Sequence, residues 1–296
     1  MDIVICFIKR DADILIKNIE YINKNIDYKQ MFLISNINGI EYVKNKLHKA
    51  LNVSFINEET LIPELNFLQI KHYIEEYIPW CHNTSWYFQQ FLKLSFAFTN
   101  YGDSDDYLVW DSDTIPINKL NFSLNDKILI SPKKEYHEEY FVTIKNLLNI
   151  SREQNYSFIS EHMLFNKRYV KEMCSMMEKN GKSWLEACFY AMSFNKKDED
   201  DHLFSEFETY GTFLSVFYKG SFIERKLYTL RTAGFMFGRG VSCKQLSMLS
   251  YDFDIVSFEW WHLPGFPRCL NDINQLEYYC KFRINSFVYK VKKHLF

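Results

Sequence analysis

Apolar positions along the chain fall into two kinds of stretch. Short stretches rich in apolar residues at 3–8, 31–35 and 53–57 read as strands, the first of them buried, and the segments between them, 11–26 and 39–47, carry apolar residues at helical spacing. In the first of these helices Ile14, Leu15, Asn18, Ile19 and Ile22 share a face at i, i+4 and i+8. Strand, helix, strand, helix, strand is the pattern of a parallel sheet with right-handed crossovers. A helix-rich stretch follows at 67–98, broken near Pro79 and again at 83–85. Its second part aligns Tyr87, Phe91, Leu94 and Phe98 and leaves Gln90 and Lys93 on a different face. Further strands are expected at 107–110, 127–130, 156–165 and 254–258, with a mixed stretch up to about 155 and strand-like material over 221–239. Helices are expected at 167–181 and 183–194, the second with Trp184, Ala187, Cys188 and Ala191 inward, while the charged run 195–201, NKKDEDD, reads as a solvated loop.

The strand at 107–110 runs into YLVWDSDTIPI, where four strand-forming residues meet Asp111 and Asp113, and Pro116 limits what regular structure follows. In open α/β sheets ligands collect at the carboxyl ends of strands, so both acids are expected at the rim of a crevice. Alternation along an extended chain sends them to one side and Ser112 to the other. Two hard carboxylates at one point suit Mg²⁺ or Mn²⁺, which is held by one or two carboxylates plus substrate phosphates. A polar turn after a strand has the same composition.

Composition narrows this picture. With 35 basic and 37 acidic residues among 296, no basic surface for nucleic acid is expected. Aromatic residues make up 18% of the chain, enough both for a large core and for stacking on a base or a sugar. The seven cysteines are scattered, with no C-x-x-C pair, so zinc and redox motifs are absent and free thiols in a reducing cytosol are expected. No basic segment precedes a long apolar one at the start, and no apolar run approaches the ~20 residues of a membrane span. A cytoplasmic chain, soluble or peripheral at the inner membrane, is the expectation.

The Asp111 and Asp113 segment resembles the DXD motif of nucleotide-sugar glycosyltransferases of the GT-A fold, in which an apolar strand leads into D-[SA]-D-T. The Trp86 to Lys93 stretch is similar to the W-x-x-Q-x-x-K of bacterial DXD transferases from surface-polysaccharide (capsule, lipopolysaccharide) clusters, and the Glu206 to Gly211 segment shares in that likeness. His262, Gly265 and Arg268 resemble the H-x-x-G-x-x-K of retaining glycogenin-like transferases, with Arg for Lys and without the Pro-Trp that follows there. The resemblance implies an α/β, GT-A-like fold with a mixed central sheet flanked by helices. One large domain, 1–282, would have a nucleotide-binding half at 1–117 and an acceptor half at 118–282, followed by an amphipathic helix at 283–296. It implies transfer of a hexosyl or N-acetylhexosaminyl group from a nucleotide-sugar donor, UDP-linked by preference, to a glycan or lipid-linked glycan acceptor, with Mn²⁺ or Mg²⁺ on Asp111, Asp113 and His262. Gln90, Lys93 and Arg268 would serve the diphosphate, Asp11 the nucleoside, Glu161 and His162 the sugar or acceptor pocket, and Glu206, ahead of Glu208, would be the base of an inverting reaction, whereas the His262 likeness points to retention, which needs no base at that position.

Plain structural roles compete for most of these residues. Asp11 can cap the helix after the first strand, and Glu206 and Glu208 suit a first helical turn begun by Ser205. Gln90 and Lys93 can face solvent, His162 can be an ordinary half-buried histidine, and His262 can simply pack. The terminal helix, with Lys290, Lys292 and Lys293 beside its apolar stripe, either docks on the domain or touches a membrane. A sugar nucleotidyltransferase of the same fold is the alternative enzyme, although F-I-K-R-D, not a glycine-rich loop, follows the first strand. A non-catalytic carbohydrate-binding protein is the alternative outside enzymes.

Overall fold

Central strands buried on both faces of a parallel sheet read as continuous apolar runs, and the first two runs of this chain become such strands, while the third becomes a partly buried edge strand. A computed structural model describes residues 1–47, 51–195 and 202–262, together with Cys280 and Ile284. In chain order the elements are β1 (Asp2–Cys6), α1 (Ala12–Asn25), β2 (Met31–Ser35), α2 (Ile37–Lys46), β3 (Val53–Asn57), α3 (Phe67–Tyr77) and α4 (Thr84–Ser95). Next come β4 (Asp106–Trp110), β5 (Thr114–Pro116), β6 (Ser123–Leu124), β7 (Lys127–Ile130), α5 (Glu138–Leu148), β8 (His162–Asn166), α6 (Lys167–Met177) and α7 (Trp184–Met192). The series ends with α8 (Glu206–Phe217), β9 (Phe222–Glu224), β10 (Thr229–Leu230), α9 (Ala233–Phe237), α10 (Cys243–Leu249) and β11 (Ile255–Ser257). The architecture is α/β, a parallel-rich mixed sheet with flanking helices.

Two interleaved units share the chain. The first comprises Met1–Lys9, Tyr28–Asp111 and Asn121–Lys226. Its five-stranded sheet has the order β3-β2-β1-β4-β8, with β1 parallel to both β2 and β4 and β8 antiparallel to β4. Successive strands step outward from β1 to β3, and the chain then returns to the other side of β1 to lay down β4. That reversal puts the topological switch point between the carboxyl ends of β1 and β4, where open α/β sheets receive ligands. Helix α4 packs against β1 and α8, and α8 is buried from Glu206 to Ser215. A small sheet, β6-β7-β9, completes this unit.

The second unit comprises Arg10–Asp27, Ser112–Leu120 and the residues from Leu227 onward. Its sheet has the order β10-β11-β5, and α1 packs on β5. Ile14, Ile115, Leu230, Val256 and Phe258 belong to its core. Pro116 is the last residue of β5, opposite Ile255, and an edge strand tolerates a residue without N–H.

Three expectations change. The mixed stretch before 155 contains α5, whose Tyr140, Ile144, Leu147 and Leu148 are buried at helical spacing. The strand expected over 156–165 is regular only from His162 to Asn166, because the residues before it are held by a side chain of α8. The strand-like stretch 221–239 ends in α9. Of the charged run, Asn195 is buried and donates to Thr143 Oγ1 at 2.8 Å, and 196–201 lie outside the described residues. The helix expected at 283–296 also lies outside them apart from Ile284. Among the described residues no helix is long and apolar enough to cross a membrane.

Candidate active site at the carboxyl end of β4

Asp111 is the first residue past β4, and its N–H donates to the Glu161 carbonyl at 3.1 Å, which ties the strand end to the segment entering β8. The chain turns at Ser112 and Asp113, so the strand-like alternation expected to aim the two acids does not continue past Trp110.

Helix α4 delivers Lys93 to this strand end. Tyr107 of β4 donates its hydroxyl to the Lys93 carbonyl at 3.1 Å, fixing the helix to the strand that carries Asp111. The ammonium lies 3.0 Å from Asp111 Oδ1 and 2.7 Å from Glu206 Oε1, and it sits over the Phe207 ring at 4.7 Å. Side-chain exposure is 4% for Lys93, 2% for Glu206 and 33% for Asp111, so a buried ion pair ends in a partly exposed carboxylate. Burial disfavours the lysine charge, but the pull of Asp111 and Glu206 overcomes it and its pKa stands above the usual lysine value. Burial raises Glu206, and Lys93 counteracts that. The Cys6 thiol at the end of β1 is pushed up to about 12 by burial and stays protonated. Gln90, one turn before Lys93, is also buried, so neither residue lies on a solvated face.

Glu161 and His162 lie beside this group in the same unit. Glu161 pairs with Lys133 at 3.3 Å. His162 is buried, stacked on Trp110 with ring centroids 5.1 Å apart, and its Nε2 is 3.3 Å from Arg225 Nη2. Burial, then Arg225 and Lys133, hold its pKa well below the ordinary histidine value. The ring is therefore neutral, and since a guanidinium only donates, Nε2 accepts and the proton sits on Nδ1. Among the described residues that buried Nδ1 has no hydrogen-bond partner. Glu208 is committed elsewhere, accepting from Ser157 Oγ at 2.5 Å and from Phe158 N–H at 3.1 Å.

The remaining sequence candidates belong to the second unit. Asp11 precedes α1 without capping it through its side chain and instead pairs with Arg239 at 2.7 Å. The Asp113 carbonyl accepts from Phe258 N–H at 2.9 Å, which anchors the turn to the residue after β11. His262 is buried with its ring 4.1 Å from that of Phe235, and among the described residues its Nδ1 has no hydrogen-bond partner. Burial, then Arg231, lower its pKa. Its backbone closely approaches Gly234, where an added Cβ would stand 2.6 Å from His262 Cβ. Gly265 and Arg268 lie outside the described residues.

The donor set fits a hard divalent ion. Asp111 offers a partly exposed carboxylate, the formal charges of Asp111, Lys93 and Glu206 sum to a negative value, and Asp113 follows two residues later. Among the described residues no three His, Cys, Asp or Glu side chains gather into a closed cage. One or two carboxylates completed by substrate oxygens is the ordinary arrangement for Mg²⁺.

Arg225 beside His162 and the Lys93 to Glu206 pair were not readable from local pattern, since both join residues far apart in the chain.

Among solved structures the chain is similar to the galactosyltransferase LgtC in complex with donor and acceptor sugar analogs, at 15% identity and a TM-score of 0.48, covering 95% of each chain. It is similar to apo mouse xyloside xylosyltransferase 1 at 11% identity and a TM-score of 0.47, covering 87% of this chain and 97% of that one. The apo WbbM bifunctional glycosyltransferase matches at 13% identity and a TM-score of 0.42, over 87% of this chain and 45% of that one. At TM-scores below 0.5 these are likenesses of outline. No curated protein matches the sequence. A family model described as a family of unknown function (DUF6492) matches residues 8–231, and the chain belongs to that family.

Proposed function

We propose that this chain is a divalent-metal-dependent glycosyltransferase that moves a sugar from a nucleotide-diphosphate donor, a UDP-sugar first among them, to a hydroxyl of a glycan or lipid-linked glycan. The reading rests on one observation: a partly exposed carboxylate, Asp111, held by a buried lysine just past β4, beside the sheet's switch point. Asp111 and Asp113 would hold Mg²⁺ or Mn²⁺, with His262, whose Nδ1 has no hydrogen-bond partner among the described residues, as the candidate third ligand. Such an ion, when bound, neutralises a departing diphosphate as a Lewis acid.

The chain's own residues supply the rest. Lys93 fixes one oxygen of Asp111 and brings Gln90 along on the same helix. Asp11, oriented by Arg239, is the candidate contact for the nucleoside. Glu161 and His162 are candidates for the acceptor, His162 through a neutral ring whose Nδ1–H can donate to a hydroxyl oxygen. Surface-polysaccharide synthesis is the setting proposed, with the basic residues near the C-terminus as a peripheral membrane contact for a lipid-linked acceptor.

The test is a donor screen with UDP-, GDP- and CMP-sugars, with and without Mn²⁺, reading release of the nucleotide. Release of UDP that requires Mn²⁺ and is lost in Asp111→Ala and Asp113→Ala, with both variants folded, supports the proposal. Absence of nucleotide binding by the wild-type protein across the panel overturns it in favour of a carbohydrate-binding role.

A further inference from the structure

One ammonium is shared by two acids of unequal exposure. Lys93 Nζ is 2.7 Å from Glu206 Oε1 and 3.0 Å from Asp111 Oδ1, and the two carboxylate side chains are 2% and 33% exposed. A lysine this buried requires a counter-charge, because desolvation of an unpaired ammonium is costly. With Glu206 absent, that counter-charge would have to be Asp111, and the strand-end carboxylate would already be neutralised when a cation arrived. With Glu206 present, Lys93 and Glu206 cancel. The formal charges of the three groups then sum to a negative value, and Asp111 is still oriented by a hydrogen bond from the ammonium.

We infer that Glu206 is a positioning residue whose carboxylate balances Lys93, so that Glu206, Lys93 and Asp111 together carry a net formal negative charge toward a divalent cation. This rests on the reading of Asp111 as a cation ligand. In this assignment Glu206 acts through Lys93, not as the base that the resemblance implied.

The surroundings of Glu206 suit a fixed charge. It is the first residue of α8, where unsatisfied N–H groups favour an anion. Ser205 anchors that turn by accepting from Glu208 N–H at 3.2 Å. The Phe207 ring lies under the lysine ammonium at 4.7 Å, so consecutive residues of α8 grip Lys93 from two directions. Glu206 Oε1 is already committed to the Lys93 ammonium at 2.7 Å, and its effect on Asp111 needs no movement.

The experiment is Mn²⁺ binding to the full chain without donor, read from the electron paramagnetic resonance signal of the free ion. Wild type, Glu206→Gln and the double variant Lys93→Met/Glu206→Gln are compared, after thermal melts show which are folded. Glu206→Gln keeps the shape and removes one charge near a dication, so Mn²⁺ affinity should fall on the order of tenfold. The double variant removes the ammonium as well, restores the balance, and should recover most of the loss. Under turnover, Glu206→Gln should raise the Mn²⁺ concentration for half-maximal rate and keep most of kcat at saturating metal. Wild-type Mn²⁺ affinity in Glu206→Gln overturns the inference, and so does a folded double variant as weak as the single one. A kcat that collapses at every Mn²⁺ concentration with binding unchanged overturns it in favour of the base. Failure of the wild-type protein to bind Mn²⁺ overturns the reading of Asp111 instead.

Discussion

Ser157 donates its hydroxyl to Glu208 Oε2 at 2.5 Å, and the Phe158 N–H reaches the same oxygen at 3.1 Å. A carboxylate in the first turn of α8 thus holds the segment that leads into β8. Burial raises the Glu208 pKa, and the bonds from Ser157 and Phe158 oppose that rise. Glu208→Ala leaves a buried hydroxyl and a buried N–H without their acceptor and should lower stability by about 2 kcal/mol, measured by urea unfolding. Glu208→Gln retains an acceptor oxygen and should recover part of the loss. Loss of turnover in Glu208→Gln with stability intact would instead make Glu208 a reacting group.

The same segment meets Gly211. A Cβ built there would stand 2.1 to 2.5 Å from carbons of the Phe158 ring. Alanine normally favours a helix interior over glycine by about 1 kcal/mol, but here it must displace a packed aromatic ring. Gly211→Ala should therefore be net destabilising by about 1 to 3 kcal/mol, seen as a lower Tm together with an altered near-ultraviolet circular dichroism signal.

Much of the sheet was legible because its central strands are buried on both faces, so that β1 and β2 appear as nearly unbroken apolar runs. The face of α1 was legible too, including the polar Asn18 within it. The second face of α4 was not. Amphipathic reasoning assumes that the side opposite the core meets water, whereas α4 lies between β1 and α8, which buries Gln90 and Lys93 as well. Lys93 and Glu206 are 113 positions apart and sit on different helices, and an ion pair across that separation leaves no period in the sequence. The Ser205 cap and the acids of the first turn of α8 were visible, because capping is local chemistry. Their partners in space were not.

A pH effect on stability follows from Glu58, which comes directly after β3. Burial, then the neighbouring Glu59, raise its pKa from 4.5 to about 7, while a hydrogen bond with Asn36 works the other way. A carboxyl whose folded pKa exceeds its unfolded value contributes stability that is fully present below about 4.5 and is lost as pH rises through about 7. After discounting for partial exposure, the effect is on the order of 1 kcal/mol. Urea unfolding of wild type and Glu58→Gln between pH 5 and pH 8 should show the variant gaining relative stability toward the alkaline end; parallel curves would deny Glu58 the role.

Two buried asparagines of α1 hold the segment that follows Asp111. Asn18 Nδ2 donates to the Ser112 carbonyl at 3.2 Å and Asn25 Nδ2 to the Pro116 carbonyl at 2.7 Å, while the Asn25 carbonyl accepts from Leu120 N–H at 2.9 Å. Replacing either side chain by leucine conserves its approximate volume and leaves a buried carbonyl without that donor, at a cost of about 1 to 3 kcal/mol. The two losses should differ in their effect on metal. Ser112 adjoins Asp113, whereas Pro116 lies at the far end of β5, so Asn18→Leu should weaken Mn²⁺ binding and hasten amide exchange at Asp113 and Thr114. Asn25→Leu should be destabilised to a similar degree while keeping its Mn²⁺ affinity. Equal Mn²⁺ affinity in wild type and a folded Asn18→Leu, with faster exchange at Asp113, would remove Asp113 from the ligand set and leave Asp111 as the carboxylate on which the cation depends.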